Sequence, residues 1–186
     1  MDFILHNYIK FIDFDIEQYE DELLSEALLL KEQNAFEPYS FKRPEPYNDK
    51  VVWPIHGKYL IARLKAIEEA PVLQKIQNEF NEKYNVLSKG RYIIQPAETN
   101  LPTHKDKGTQ CALNYVVEGT APIIFHEECE RQKEFPYDWN EGKYFKRVNY
   151  KKALINVQKF HSVPISDKDR ILFKLSIFDK DFFEKI

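Results

Sequence analysis

The sequence predicts a mainly β fold with an α buttress: N-terminal helices packed on a β-sandwich or jelly-roll core. Three observations carry that prediction. Residues 1–90 place apolar side chains at helical spacing. Residues 91–186 break into short apolar runs rich in β-branched and aromatic residues. Helices first and antiparallel strands afterwards imply one helical layer against stacked sheets. With 186 residues, the chain suits a single well-buried domain, 1–186, in which 1–90 is mainly helical support and 91–186 is the β core.

The elements follow in chain order. Asp15 to Gln33 carries Ile16, Tyr19, Leu23, Leu24, Ala27, Leu28 and Leu30 near helical spacing, with Glu and Lys between them. Asn34 to His56 holds Pro38, Pro44, Pro46 and Pro54, too many for regular structure. Its Tyr39, Tyr47 and Trp53 make it either a strap on the core or a cover over a pocket. Lys58 to Tyr84 reads as two helices, with Pro71 in the first turn of the second. There Val72, Leu73, Ile76, Phe80 and Tyr84 form one core-facing stripe. Strands are expected at Arg91–Ala97, Cys111–Val117, Ile123–Glu127, Lys146–Tyr150, Ala153–Gln158 and Arg170–Phe178, and Asn140-Glu141-Gly142 marks a turn.

Composition narrows the function. A formal charge of -3 and a pI near 6.0 give no electrostatic case for nucleic acid or a membrane surface. Cys111 and Cys129 are too few for a disulfide scaffold, which favours a reduced cytoplasmic setting, a host cytoplasm if the source is viral. The segment Met1 to Ile12 carries Asp2 and lacks a basic start, a long apolar core and a small-residue cleavage site, so it makes a poor signal peptide. No apolar run approaches the length of a membrane span. There is no Gly-x-Ser-x-Gly elbow, phosphate-cradling glycine loop or dinucleotide fingerprint.

The chemistry concentrates in His104-Lys105-Asp106, followed by His161 and Arg170. On an extended segment, positions i and i+2 point the same way, so His104 and Asp106 reach one ion together. Two imidazoles and one carboxylate hold a divalent iron on one face and leave the opposite face open. With five His and eleven Asp, His-x-Asp is expected by chance roughly 0.3 times, so the spacing alone is weak. Context strengthens it. His161 follows the apolar run Ala153-Leu154-Ile155-Asn156-Val157, and Arg170 opens the last strand nine residues later. On that strand Ile171, Phe173, Leu175 and Ile177 make one apolar face, while Arg170, Leu172, Lys174, Ser176 and Phe178 make the other. A buried cation there needs a counter-charge, which a dicarboxylate supplies. Lys174 is the fallback anchor if Arg170 points outward, and Arg170 paired with Asp167 or Asp169 at the surface is the bland alternative. His126 and Cys129, among Glu127, Glu128 and Glu130, are too sparse for a structural zinc site and read as a strand end and acidic loop. His6 and His56 have no convincing partners.

From Tyr92 to Phe178 the chain resembles the double-stranded β-helix core of the 2-oxoglutarate/Fe(II)-dependent oxygenases. The likeness is closest to small bacterial and phage members related to the prolyl and aspartyl/asparaginyl hydroxylases. The segments that carry it are Leu-Pro-Thr-His-Lys-Asp (101–106), Cys-Ala-Leu-Asn-Tyr-Val-Val (111–117), Ala-Leu-Ile-Asn-Val-Gln-Lys-Phe-His-Ser-Val-Pro (153–164) and Asp-Arg-Ile-Leu-Phe-Lys-Leu-Ser-Ile (169–177). The resemblance implies that His104, Asp106 and His161 bind Fe(II) and that Arg170 binds the distal carboxylate of 2-oxoglutarate. Tyr92 and Asn114 are either further cofactor contacts or polar core residues satisfied by backbone.

The implied reaction is a hydroxylation that consumes O2 and 2-oxoglutarate and releases succinate and CO2. Asp106 speaks against a halogenase, whose members lose this carboxylate. The implied substrate is an amino-acid side chain, peptidyl or free. Asn34–His56 and Arg131–Lys146, with Tyr137, Trp139 and Tyr144, are expected to rim the iron. The other reading is a jelly-roll metal- or ligand-binding or sensor module without turnover. The sequence says nothing about oligomeric state.

Overall fold

The computed structural model describes residues 5–38, 40–42, 50–52, 62–64, 67–106, 108–120, 122–130 and 142–186. Two antiparallel sheets face one another, and two long helices cover the outer face of the larger one. In chain order the strands are β1 (Ile9–Lys10), β2 (Phe36–Pro38), β3 (Ser40–Lys42), β4 (Lys50–Val52), β5 (Ala62–Leu64), β6 (Ser88–Gln95), β7 (Leu101–His104), β8 (Cys111–Glu118), β9 (Pro122–Glu127), β10 (Lys143–Asn149), β11 (Lys152–Ile155), β12 (His161–Val163) and β13 (Arg170–Ile177). The helices are α1 (Glu20–Glu32), α2 (Pro71–Tyr84) and the short α3 (Phe182–Lys185).

The large sheet runs β1-β11-β8-β13-β6-β5-β2 and the small one β10-β9-β12-β7. From β6 onward the chain crosses repeatedly between them: β6, β8, β11 and β13 lie in the large sheet, and β7, β9, β10 and β12 in the small one. This is the winding of a double-stranded β-helix, or jelly roll.

Strand β13 holds the architecture together. It pairs with β6 on one side and β8 on the other, and all but one of its residues are buried. Its odd residues, Ile171, Phe173, Leu175 and Ile177, join Leu113, Tyr115, Tyr92 and Ile94 in a core shared with the helices. Against them α1 buries Leu23, Ala27 and Leu30, and α2 buries Leu73, Ile76 and Phe80. The even residues of β13 face the small sheet. There Leu172 packs on Val116, while Ile9, Ala112, Ile123, Phe125, Ala153, Ile155 and Val157 fill the space between the sheets.

Both helices match their apolar stripes. Pro71 occupies the first turn of α2, and Asn85 closes it in the left-handed region (φ 49°). Glu26, buried on α1, caps α2 from outside: its carboxylate accepts from the Val72 and Leu73 amides at 2.7 and 3.0 Å.

Two expectations are corrected. The first of the two helices predicted within Lys58–Tyr84 is replaced by β5 and a 3-10 turn at Ile67–Glu69. The Pro-rich stretch holds β2, β3 and β4. In the first half β1, β2 and β5 also extend the large sheet. These strands are two or three residues long, and their partners are distant in sequence, so pairing rather than local pattern creates them. Tyr39, Tyr47, Trp53, His56, Tyr137 and Trp139 lie outside the described residues. Among the described residues no helix is long and apolar enough to cross a membrane.

Candidate metal centre

His104 is the last residue of β7, and β7 pairs with β12 so that His104 stands directly opposite His161. Their rings lie 4.3 Å apart between centroids. Two residues on, Asp106 Oδ1 lies 3.5 Å from His104 Nε2 and 4.0 Å from His161 Nε2. One ligand atom from each of the three lies within 4.8 Å of the other two, and this is the only such group among the described residues. Cross-strand register thus joins two histidines that are 57 residues apart in sequence.

The surroundings prepare these groups as ligands. His161 Nδ1 meets the Lys159 carbonyl at 2.8 Å, which as a donated N–H leaves the Nε2 lone pair facing Asp106. Burial, with His104 close by, pushes the His161 pKa down to about 3, so the ring is neutral near pH 7. Burial by itself would raise the Asp106 pKa, but the Lys174 ammonium, aided by His104 and His161, more than offsets it and holds the carboxyl well below its usual range. Lys174 Nζ meets Asp106 Oδ2 at 2.5 Å, leaving Oδ1 toward the imidazoles.

The Asp106 backbone is clamped as well. Its N–H donates to the Val157 carbonyl at 3.0 Å, and its carbonyl accepts from Gln158 Nε2 at 2.8 Å. The same Gln158 amide reaches the Thr109 carbonyl, so the turn before β12 holds the loop that carries the carboxylate. Nothing in the residue pattern marks Gln158 beyond its place in an apolar segment.

Arg170 faces the space between the sheets and is 3% exposed. Asp169, its expected surface partner, instead binds Lys31 at 2.8 Å and the Ala97 amide at 2.9 Å. Arg170 Nε and Nη1 are buried and find no hydrogen-bond partner among the described residues. Burial lowers the Arg170 pKa, and the Tyr150 phenol opposes that. Asn114 lies on the same face of the sheet, opposite Lys174 in register, and its Nδ2 donates to the Tyr150 hydroxyl at 3.2 Å. The Oδ1 of Asn114 and the Oε1 of Gln95, which stands opposite Arg170, also lack partners among the described residues. Gly119 (φ 82°) allows this packing, since a Cβ there would lie 2.7 Å from the Asp169 carbonyl oxygen. A hollow of about 610 Å³, lined in part by Val116, Gly119 and Tyr150, contains none of the three candidate ligands.

Tyr92 lies elsewhere. It pairs with Phe173, points into the helical layer and donates to Glu26 Oε1 at 2.8 Å. Burial and then Glu26 raise its pKa. The structure therefore brings His104, Asp106 and His161 together, sets Arg170 and Asn114 on the same inner face of the large sheet, and turns Tyr92 away. His126 Nε2 meets Ser162 Oγ at 2.7 Å, and Cys129 Sγ points to the Glu127 carbonyl, with no three-ligand group around either among the described residues.

No protein-family model matches the chain, and no curated protein matches it by sequence. Solved structures do match its fold. A prolyl hydroxylase from Trichoplax adhaerens, in complex with a hypoxia inducible factor oxygen degradation domain peptide fragment, superposes with a TM-score of 0.58 at 14% identity. That match covers 96% of this chain and 87% of the other. A Pseudomonas putida prolyl-4-hydroxylase gives a TM-score of 0.52 at 8% identity, covering 89% and 88%. At these identities the likeness is one of fold.

Proposed function

We propose that the protein is a 2-oxoglutarate- and Fe(II)-dependent dioxygenase that hydroxylates an amino-acid side chain. The observation that carries this reading is the buried Arg170, with two guanidinium nitrogens unpartnered among the described residues, on the same inner face as the Lys174 that touches the His104–Asp106–His161 cluster. A buried cation without a counter-charge is costly, and a dicarboxylate ligand removes that cost.

His104 Nε2, Asp106 Oδ1 and His161 Nε2 would hold the metal, a donor set suited to Fe(II) that leaves further coordination positions free. Iron, when bound with 2-oxoglutarate, would let O2 act as the oxidant for C–H hydroxylation, with 2-oxoglutarate oxidised to succinate and CO2. Arg170 would grip the distal carboxylate through paired N–H donors. Asn114, Gln95 and Tyr150 offer further polar groups on that side of the pocket. Leu172 and Val116 keep the space between dry and shaped for an aliphatic chain. The peptide bound by the Trichoplax enzyme supports a peptidyl substrate over a free amino acid. Two unpaired cysteines fit a cytoplasmic setting.

The test is anaerobic addition of Fe(II) and 2-oxoglutarate, read as the visible charge-transfer band of the chelate. The band should form with the wild type, vanish in His104→Ala and Asp106→Ala, and need at least tenfold more 2-oxoglutarate in Arg170→Met. A band that survives His104→Ala removes the metal assignment. A band without succinate release in air, across a peptide and amino-acid screen, leaves a ligand-binding module in place of an enzyme.

A further inference from the structure

The mechanism above assigns no role to Lys174, although it is the residue most intimate with the proposed metal ligands. It is 12% exposed in its side chain, and its ammonium bonds Asp106 Oδ2. Its backbone position is fixed, because β13 is paired on both sides, opposite Arg91 on β6 and Asn114 on β8. Register also places Arg91 on the same face, adding a second cation beside Lys174.

The charge count has a consequence. Imidazoles bind a metal in their neutral form, so with one carboxylate the ligand set has charge −1, which attracts a divalent cation. Lys174 cancels that charge. A divalent ion entering the wild-type site therefore meets a neutral cluster and an ammonium within a few ångströms, in surroundings where like charges repel strongly. A dianionic chelator entering with the metal reverses the balance, because its charge offsets both cations.

We propose that Lys174 is a positioning residue that couples the two loading steps: through its ion pair with Asp106 it makes the site poor for a divalent cation alone and good for a cation together with a dicarboxylate. This inference rests on the metal-centre reading of His104, Asp106 and His161. Binding free energies are reciprocal, so the dicarboxylate must tighten the metal by the factor by which the metal tightens the dicarboxylate. Lys174 sets the size of that factor. Its grip on Oδ2 also keeps Asp106 to a single coordinating oxygen, preserving open positions on the ion.

Titration with Mn(II), a redox-silent probe, tests this. Free Mn(II) is followed by electron paramagnetic resonance at pH 8, with and without 2-oxoglutarate, on the full-length protein. Lys174→Met should bind Mn(II) alone at least tenfold more tightly than wild type, and the enhancement by 2-oxoglutarate should shrink by at least tenfold. Lys174→Gln, which keeps a hydrogen-bond donor and loses the charge, should behave like Lys174→Met, whereas Lys174→Arg should restore wild-type coupling. Circular dichroism confirms that each variant is folded. If Lys174→Gln matches wild type, or both neutral variants bind Mn(II) no more tightly than wild type, the charge-coupling role is overturned. A different failure, Mn(II) binding that His104→Ala leaves unchanged, overturns the metal centre itself.

Discussion

Tyr92→Phe separates a structural tyrosine from a co-substrate ligand. The substitution removes one hydroxyl and leaves a ring of the same shape, so the packing of Tyr92 on Phe173, at 6.2 Å between centroids, survives. What is lost is the buried hydroxyl's bond of 2.8 Å to the Glu26 carboxylate, together with its 3.4 Å approach to the Leu23 carbonyl. A hydrogen bond to a charged group contributes about 1.5–3 kcal/mol. Glu26 keeps the Val72 and Leu73 amides, so the lower part of that range applies, about 1.5–2 kcal/mol. For a domain of this size that corresponds to a fall in Tm of roughly 3–8 °C. Urea unfolding monitored by circular dichroism measures the loss, and calorimetric titration of 2-oxoglutarate into Mn(II)-loaded protein should change by less than about twofold, a difference of under about 0.5 kcal/mol. In a Glu26→Ala background the same substitution should cost under about 1 kcal/mol, because only the Leu23 carbonyl at 3.4 Å is left to the hydroxyl. An unchanged Tm combined with a tenfold loss of 2-oxoglutarate affinity would refute the reasoning and return Tyr92 to the co-substrate pocket.

Gly90→Ala should destabilise the protein by about 1–3 kcal/mol in the same unfolding assay, because an added Cβ would meet Leu73 Cδ2 at 2.5 Å and Gln77 Oε1 at 2.9 Å where α2 crosses β6. Asp169, held below its ordinary pKa by Lys31 and the Ala97 amide, contributes stability that is fully present above about pH 4 and is lost as pH falls through its lowered folded value. Acid titration of Asp169→Asn should therefore show a flatter stability loss below about pH 4, by no more than about 1 kcal/mol because the pair is partly exposed.

The alternating pattern of β13 made its two-sided burial legible, and the periodic stripes located α1 and α2. The His-x-Asp spacing and the later His and Arg were also legible, because they are local patterns on strands. Tyr92 shows the limit. Period-2 alternation says that Tyr92 and Ile93 face opposite ways, but only the register with β13 decides which face is the interior, and a one-residue slip exchanges them. Lys174 shows another. Its alternation placed it beside Arg170, yet its bond to Asp106 depends on how the two sheets stack. The short strands β2 to β5 escaped because three residues carry too little pattern to outweigh nearby prolines and helix formers.

Residue type and short-range period are enough to specify the layers, the candidate ligands and the need for a counter-charge at the last strand. The tertiary structure alone decided that Tyr92 anchors the helices, that Gln158 clamps the Asp106 loop, and that Lys174 shares the Asp106 carboxylate. The physical reason is the same in each case: a hydrogen bond or ion pair between distant segments depends on strand register and sheet stacking, which arise only when the whole core packs.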